Sequence, residues 1–402
     1  MNPFPLVIGE LRRSPLGCAA VVALITVAVA LGVSVTAQER ALRRASTLAA
    51  ERFDLLVGAP GSPTQLLLTT IYLQPAALEL LPSDVLLQLT SEPGAVMVAP
   101  VAVSDSYRGY PVVGTTAAFV AESGIAEGRV FARHDEAVVG SEVRLALAEK
   151  LLPDHGTPAE NVLESRTHSL ELTVVGRARP SGTPWDRAII VPIEAIWRMH
   201  ATAREQALAP AATRLGPPWA PGVVDRVPAV VVKPRSVNDA YQLRAKYRTR
   251  DSLAVFPAEV LLPLYALLGD LREFVGAIAI VFQALILVAV ILVIVAVLAA
   301  RRESIGILRA LGAPPAFVFA TVWLQAAMLL AAGVLLGALL GWGLAHSLGA
   351  FATVRTGLAI DAAIGATELG SLLGLLGAGS LLAVVPSLAA MRGMTARLLR
   401  KA

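Results

Sequence analysis

Residues 274–300 form a run of 27 residues without one charged side chain, and the run ends abruptly in Arg301 and Arg302. Hydrocarbon offers a bare backbone no hydrogen-bond partner, so a stretch of this length and polarity is expected to cross a bilayer as a helix. The basic cluster that closes it is expected in the cytoplasm, because Arg resists translocation. At 100° per residue, Ile305, Ile307, Leu308 and Leu311 share one arc of a short helix, with Arg302 and Arg309 opposite. Gly312 is placed to end that helix, and Pro314-Pro315 to start the next. The pattern alone leaves two readings open. One is a short amphipathic helix that meets a soluble partner at the membrane surface. The other is an ordinary positive-inside loop.

Three further runs behave in the same way. Residues 16–37 are uncharged and follow Arg12 and Arg13. They are too long for the apolar core of a cleaved signal and have no clean small-residue cleavage site close behind. Leu16-Gly17-Cys18 is not a lipoprotein signal, since no apolar core precedes the cysteine. Residues 310–354 lack Asp, Glu, Lys and Arg, and hold a third span at 316–348. Within it Gly333, Gly337 and Gly341 recur every four residues. That spacing suits a face where another helix approaches closely, although ordinary glycine content of a membrane helix gives the same count. A fourth span, 368–391, carries Gly370 and Gly374 at the same spacing.

Charge counting orients the four spans. The proposed inner ends hold nine positive residues: Arg12, Arg13, Arg301, Arg302, Arg309, Arg392, Arg397, Arg400 and Lys401. The short outer link, 349–367, holds only Arg355. Arg40, Arg43 and Arg44 fall on the outer side, but they head a long domain, and such domains translocate largely regardless of charge. The expected layout is a cytoplasmic segment 1–15, spans at 16–37, 270–300, 316–348 and 368–391, a cytoplasmic helix at 301–315 and a cytoplasmic tail at 392–402. Both termini lie inside, and residues 38–269 form one large extracytoplasmic domain. Only 16% of the chain is charged against 55% hydrophobic, where a soluble domain is nearer a quarter charged. Positive-inside loops account for the net charge of +4, so nucleic acid is not an expected partner. A single cysteine, Cys18, excludes an intrachain disulfide and Cys-based metal sites.

The exterior segment mixes strands and helices without a regular βαβ repeat, which predicts an α+β domain of two subdomains. A helix continues from the first span through 38–52, followed by a strand at 53–58. Residues 64–74 fit either helix or strand. Ser83 is expected to cap a helix to Ser91. Strands are expected at 95–103, 110–116, 137–140, 170–175, 188–192 and 227–232, and helices at 141–152 and 236–247. Residues 201–222, rich in Ala and Pro, suggest an inserted lobe. Residues 259–273 lead back to the membrane as a continuous helix, or hinge at Pro257 or Pro263.

Catalytic patterns are missing. The lysines are Lys150, Lys233, Lys246 and Lys401, and none completes the Gly-rich phosphate loop of an ATPase. No two of the five histidines stand at helical ligand spacing, and His134-Asp135-Glu136 is better explained as a solvated turn than as a metal site. Gly140-Ser141-Glu142 lacks the leading half of a nucleophile elbow. No cofactor, metal site or enzymatic activity is expected. Without charged groups in the spans, a polar substrate has no obvious path through them.

Arg301-Arg302-Glu303-Ser304-Ile305-Gly306-Ile307-Leu308-Arg309-Ala310-Leu311-Gly312-Ala313 resembles the R-R-x-E-I-G-I-L-R-A-L-G-A motif of the FtsX/MacB-like ABC transporter permeases. The tail Pro386-Ser387-Leu388-Ala389-Ala390-Met391-Arg392 resembles the closing motif of that family, and 137–141, 170–176 and 189–192 resemble its MacB-like periplasmic core domain. The resemblance implies that Arg301, Arg302, Glu303, Ile305, Gly306, Ile307, Leu308, Arg309, Leu311 and Gly312 form the coupling helix that docks on a cytoplasmic ATPase. It implies a homodimer with two ATPase copies in a bacterial inner membrane, working by mechanotransmission. The implied substrate is a lipoprotein, lipid, peptide, drug or metal-linked cargo, with a periplasmic or lipoprotein partner. The alternative is a membrane-anchored sensor or scaffold that regulates an extracytoplasmic partner without transport.

Overall fold

A computed structural model describes residues 2–13, 15–74, 76–155, 170–200, 214–220, 222–266, 277, 280–281, 284, 288, 313–385 and 387–388. The chain divides into two compact units. The first comprises 1–42, 267–351 and 360–402, and the second 43–266 and 352–359. The expected second span at 270–300 and cytoplasmic helix at 301–315 lie almost wholly outside the described residues, as does most of the 201–222 lobe.

In the first unit, helix α1 covers Phe4–Arg13 and α2 covers Pro15–Ala50. Helix α2 has 36 residues, so it is about 54 Å long and outruns a hydrocarbon layer of about 30 Å. One stripe of it is buried at every fourth position: Val21, Ile25, Val29, Val33, Ala37, Ala41, Ala45 and Ala49. The stripe turns from β-branched residues to alanine where the uncharged run ends, so the helix keeps its apolar face while Arg and Glu enter elsewhere.

Helix α8, Pro315–Thr356, meets that stripe with one of its own. A Cβ on Gly333 would lie 2.6 Å from the Ile25 side chain. On Gly337 it would lie 2.6 Å from Val29 and 2.8 Å from the Thr26 carbonyl oxygen, and on Gly341 2.7 Å from that of Ala30. No side chain fits at these distances, so the two backbones approach only because the three positions carry none. Polar groups bridge the same seam. The Thr26 hydroxyl donates to the Gly333 carbonyl at 3.3 Å and the Gln38 amide to that of Ala345 at 2.5 Å.

Helix α9, Ala366–Leu382, is shorter. Gly379 takes the Leu330 side chain, and the Trp323 indole donates to the Ser380 carbonyl at 3.0 Å. Gly370 and Gly374 differ from the expectation of a packing face. No atom of the described chain lies within 4 Å of a Cβ built on either. The four-residue spacing is the same as in α8, but here no described helix packs against it. Among the described residues two helices, α2 and α8, are long and apolar enough to cross a membrane, and α9 is apolar but only 17 residues long.

The second unit is built on a sheet of eleven strands. In chain order these are β1 (Leu55–Gly58), β2 (Ala95–Tyr107), β3 (Tyr110–Thr115), β4 (Ile125–Gly128), β5 (Glu136–Val139), β6 (Lys150–Leu151), β7 (Asp154–His155), β8 (Leu172–Ala178), β9 (Ile189–Pro192), β10 (Ala229–Pro234) and β11 (Leu253–Val255). The strand order is β11-β1-β10-β2-β3-β9-β5-β8-β4, with β6 on β8 and β7 on β2. Strand β2 joins the two halves: its first seven residues pair with β10 and the rest with β3, with a register shift between Val103 and Asp105. Pairs β3–β9 and β5–β8 are parallel and all others antiparallel. Helices α3 (Pro63–Tyr72), α4 (Ser83–Thr90), α5 (Ala117–Ser123), α6 (Ile193–His200) and α7 (Val237–Lys246) cover it. The domain is α+β, as the mixed pattern predicts.

Local chemistry sets several boundaries. The Ser62 hydroxyl accepts from the Gln65 N–H at the start of α3, which makes the ambiguous stretch helical as far as Tyr72, and Thr116 and Ser236 cap α5 and α7 likewise. At α4 the cap position falls to Pro82 and Ser83 is the first helical residue, so the helix starts one place earlier than expected, with no side-chain cap. The helix expected at 141–152 does not form. There Val143 and Leu145 are buried and their neighbours exposed, a period of two that belongs to extended chain. Arg177 holds this chain open, donating to the carbonyls of Val143 at 2.8 Å and Leu145 at 2.6 Å. Residues 257–266 are helical without interruption through Pro263.

The acidic turn at 135–136 is occupied by arginine. Glu136 is buried and takes two bonds from Arg129, at 2.7 and 2.5 Å, and one from the Ala132 N–H at 2.8 Å. Arg133 pairs with Asp135. The Arg129 bonds hold the Glu136 carboxyl at about 2, against the opposing effect of burial.

Two predictions follow from these contacts. Gly337→Val should destabilise the first unit by about 1–3 kcal/mol through overpacking, read as a lower Tm of the purified protein. Gly374→Ala, made into open space, should leave the Tm unchanged or raise it. The second concerns acid. A carboxyl with a depressed folded pKa stabilises above its unfolded value and loses that contribution as pH falls toward the folded one. The Tm gap between wild type and Glu136→Gln should therefore be full above about pH 5 and close between there and about 2. A gap that is constant with pH would refute the assignment.

Candidate functional site

The expected coupling residues Arg301, Arg302, Glu303, Ile305, Gly306, Ile307, Leu308, Arg309, Leu311 and Gly312 lie outside the described residues. The described part instead shows how the second unit holds the chain segments that enter and leave it. These are the end of α2, residues 257–266, and residues 352–359 after the apolar body of α8.

A single buried carboxylate organises the first holdfast. Asp186 accepts from the Ser181 N–H at 2.9 Å, from the Ser181 hydroxyl at 2.9 Å and from the Gly182 N–H at 2.7 Å. This closes residues 181–186 into a rigid turn, with Gly182 at φ +70°. The turn then presents its own groups to 352–359. The Ala359 N–H donates to the Gly182 carbonyl at 3.0 Å, Arg187 donates to the Val354 carbonyl, and Gly357 lies against Pro184. On its other side the Glu142 N–H donates to the Asp186 carbonyl at 2.8 Å, tying the turn to the sheet.

The second holdfast grips α2. The Tyr72 hydroxyl donates to the Ser46 carbonyl at 3.0 Å. Burial, and next Tyr265, push the Tyr72 hydroxyl above the ordinary tyrosine range, so it stays a donor. The Tyr265 hydroxyl, on the helical stretch 257–266, lies 2.9 Å from the Ser46 hydroxyl and 3.3 Å from that of Thr47. The Arg43 guanidinium stands 5.7 Å from the Tyr265 ring centre. Just beyond α2, Phe53, Phe119 and Trp185 form a triangle of rings with centroids 5.2–6.2 Å apart. Arg52 lies over Phe119 at 4.9 Å and donates to Ser123. Burial pulls Arg52 below the usual arginine range, with Asp186 opposing. Aromatic pairs of this kind contribute about 0.5–1.5 kcal/mol each beyond their buried area.

Within the first unit, Arg40 donates to Glu368 and to the Ala363 carbonyl. Glu368 is buried and also accepts from the Gly365 N–H at 2.8 Å, which caps α9. Charge counting treats Arg40 only as a stray outer cation, and the sequence reading leaves the spans without charged groups, although the one expected at 368–391 opens on Glu368. Both views change: the first residue of that stretch is an ionised partner for Arg40. None of Asp186, Tyr265, Tyr72 or Glu368 carries a motif. The only sequence signals are Glu368 at the edge of an apolar run and the turn-forming Ser181-Gly182-Thr183-Pro184.

Among the described residues no group of three or more His, Cys, Asp or Glu side chains could hold a metal ion. The carboxylates of the site are committed to backbone N–H groups and arginine.

Comparison with known proteins places the C-terminal part. Residues 276–396 match the family described as FtsX-like permease C-terminal. The extracellular domain of a noncanonic ABC-type transporter, YknZ, from Gram-positive bacteria matches at 12% identity and a TM-score of 0.29, over 50% of this chain and 98% of that one. No curated protein matches. Residues 276–396, which include α8, α9 and the Arg-rich segment between 301 and 312, are thus similar to the C-terminal part of FtsX-like permeases.

Proposed function

We propose that this chain is the permease subunit of an ABC transporter that transmits the work of a separate cytoplasmic ATPase to its own α+β domain outside the membrane. The observation that carries the reading is the family match over 276–396, which spans the Arg301–Gly312 segment and the helices that follow it. In this reading the chain crosses the bacterial inner membrane four times, at 16–37, 270–300, 316–348 and 368–391, with both termini inside. Two copies pair, and each engages one ATPase subunit through Arg301, Arg302, Glu303, Ile305, Gly306, Ile307, Leu308, Arg309, Leu311 and Gly312.

Transmission needs stiff elements at both ends of the path, and two sets of contacts support it. The glycine-faced seam between α2 and α8 leaves little room for sliding without a clash. The holdfasts at Ser46, Tyr265 and residues 354–359 fix three chain segments within one body. A pull on any one of those segments is then shared by the sheet. Movement of that body outside the membrane would act on a lipoprotein, lipid, peptide, drug or metal-linked cargo, or on a periplasmic or lipoprotein partner.

Two measurements test the proposal. Arg309→Glu should abolish co-purification of the ATPase while leaving membrane insertion and the size-exclusion profile of the permease unchanged. Recovery of the ATPase at normal yield with that variant would refute the docking role. In a Cys18→Ser background, Ser304→Cys should be protected from a membrane-impermeant maleimide in intact cells and Ala211→Cys labelled. Labelling of both from the same side would refute the topology. A variant chain that still regulates an exterior partner without any ATPase would instead favour the sensor reading.

A further inference from the structure

The second unit contains a cleft of about 1000 Å3 beside the second holdfast, whose Arg43, Thr47, Phe53 and Tyr265 form part of its lining. One wall is the last two turns of α2 and the residues after it, with Thr47, Glu51, Phe53 and Asp54. The other is α7 with Val237 and Tyr241, and the floor is the stretch from Phe256 to Tyr265. Most of the lining is carbon. Val237, Tyr241 and Leu262 are exposed, large and apolar, which is costly for a surface with nothing to cover it. The Tyr241 and Phe256 rings meet edge to face at 5.2 Å and 74°, giving the cleft a firm aromatic side. A volume of this order suits a ligand of drug size.

Its electrostatics are lopsided. Glu259 is neutralised by Arg244 at 2.7 Å, and Arg43 stands over the Tyr265 ring. Glu51 and Asp54 have no partner among the described residues, and both are exposed. Arg52 between them turns away to Phe119 and Ser123. The two carboxylates also stand at the C-terminal end of a 36-residue helix, where backbone carbonyls add partial negative charge. An anion would be repelled from this end, and a neutral apolar molecule would leave two carboxylates facing it.

We propose that the cleft binds a small amphipathic cation, with its apolar body between Tyr241, Phe256 and Leu262 and its positive group at Glu51 and Asp54. The site lies wholly within the second unit and requires no ATPase, so it stands or falls apart from the coupling reading.

The test uses the full chain in nanodiscs of zwitterionic lipid, without nucleotide, with empty nanodiscs as the blank. Rhodamine 6G, a hydrophobic cation, is titrated by fluorescence polarisation, with fluorescein as an anionic comparator of the same ring type. Saturable rhodamine binding is expected, with fluorescein at least about tenfold weaker. The double variant Glu51→Gln/Asp54→Asn should weaken rhodamine binding about tenfold and remove most of its salt dependence. Tyr241→Ala should weaken it through the apolar wall and leave the salt dependence in place. All three positions are exposed, so an unchanged Tm is the control for folding. No saturable binding above the blank, equal affinity for the two dyes, or wild-type affinity in the double variant would each overturn the proposal.

Discussion

The structure depends on how closely two backbones can approach. Where α8 passes α2, a single methyl group at Gly333, Gly337 or Gly341 would overlap Ile25, Val29 or a carbonyl oxygen. Lipid is as apolar as leucine, so apolar burial does little to drive helices together inside a bilayer. Close van der Waals contact and the hydrogen bonds it permits must supply the attraction. The two bonds that cross this seam, Thr26 to Gly333 and Gln38 to Ala345, both end on carbonyls of α8. The first is open to a partner because Gly333 has no side chain to cover it. Packing and hydrogen bonding are thus one device here. That explains why the buried stripe of α2 keeps a strict four-residue repeat from Val21 to Ala49 even after the sequence stops being apolar.

An ion pair stands at the edge of that assembly. Arg40 and Glu368 meet where α9 begins, and the carboxylate is also satisfied by the Gly365 N–H. A charge buried without a partner is expensive, whereas one that also caps a helix has its remaining lone pairs used. The second unit solves the same problem in the same manner. Asp186 meets three donors of its own turn, and Glu136 meets Arg129 and the Ala132 N–H. In each case a carboxylate fixes backbone. The carboxylates of Asp135 and Glu136 therefore hold a turn in place.

What the sequence made legible follows from the range of the forces involved. The end of α2, the strands at 95–103, 110–116 and 188–192, and the Ser236 cap are set by local propensity and periodicity, and these can be read one window at a time. The stretch 141–152 could not be read that way. Ala, Leu, Glu and Arg favour a helix there, but Arg177, more than thirty residues away, takes the Val143 and Leu145 carbonyls and keeps the chain extended. The alternation Val143-Arg144-Leu145 was the available signal, and composition masked it. The glycine faces show the same limit. Spacing treats Gly333–Gly341 and Gly370–Gly374 alike, and only the position of α2 separates a filled face from an open one. The holdfasts left almost no trace, because Tyr72, Ser46 and Tyr265 are common residues joined across the fold.

The nature of the holdfasts bears on what kind of load they can carry. Tyr72 donates to a main-chain carbonyl of α2, Arg187 to a main-chain carbonyl at Val354, and Ala359 to one at Gly182. A bond to the backbone transmits displacement of the chain itself, with no side-chain torsions in series to absorb it. A surface ion pair between two long side chains would yield by rotamer change at little cost. The junction also places its aromatic triangle, Phe53, Phe119 and Trp185, directly after α2, where dense packing resists compression as the bonds resist tension.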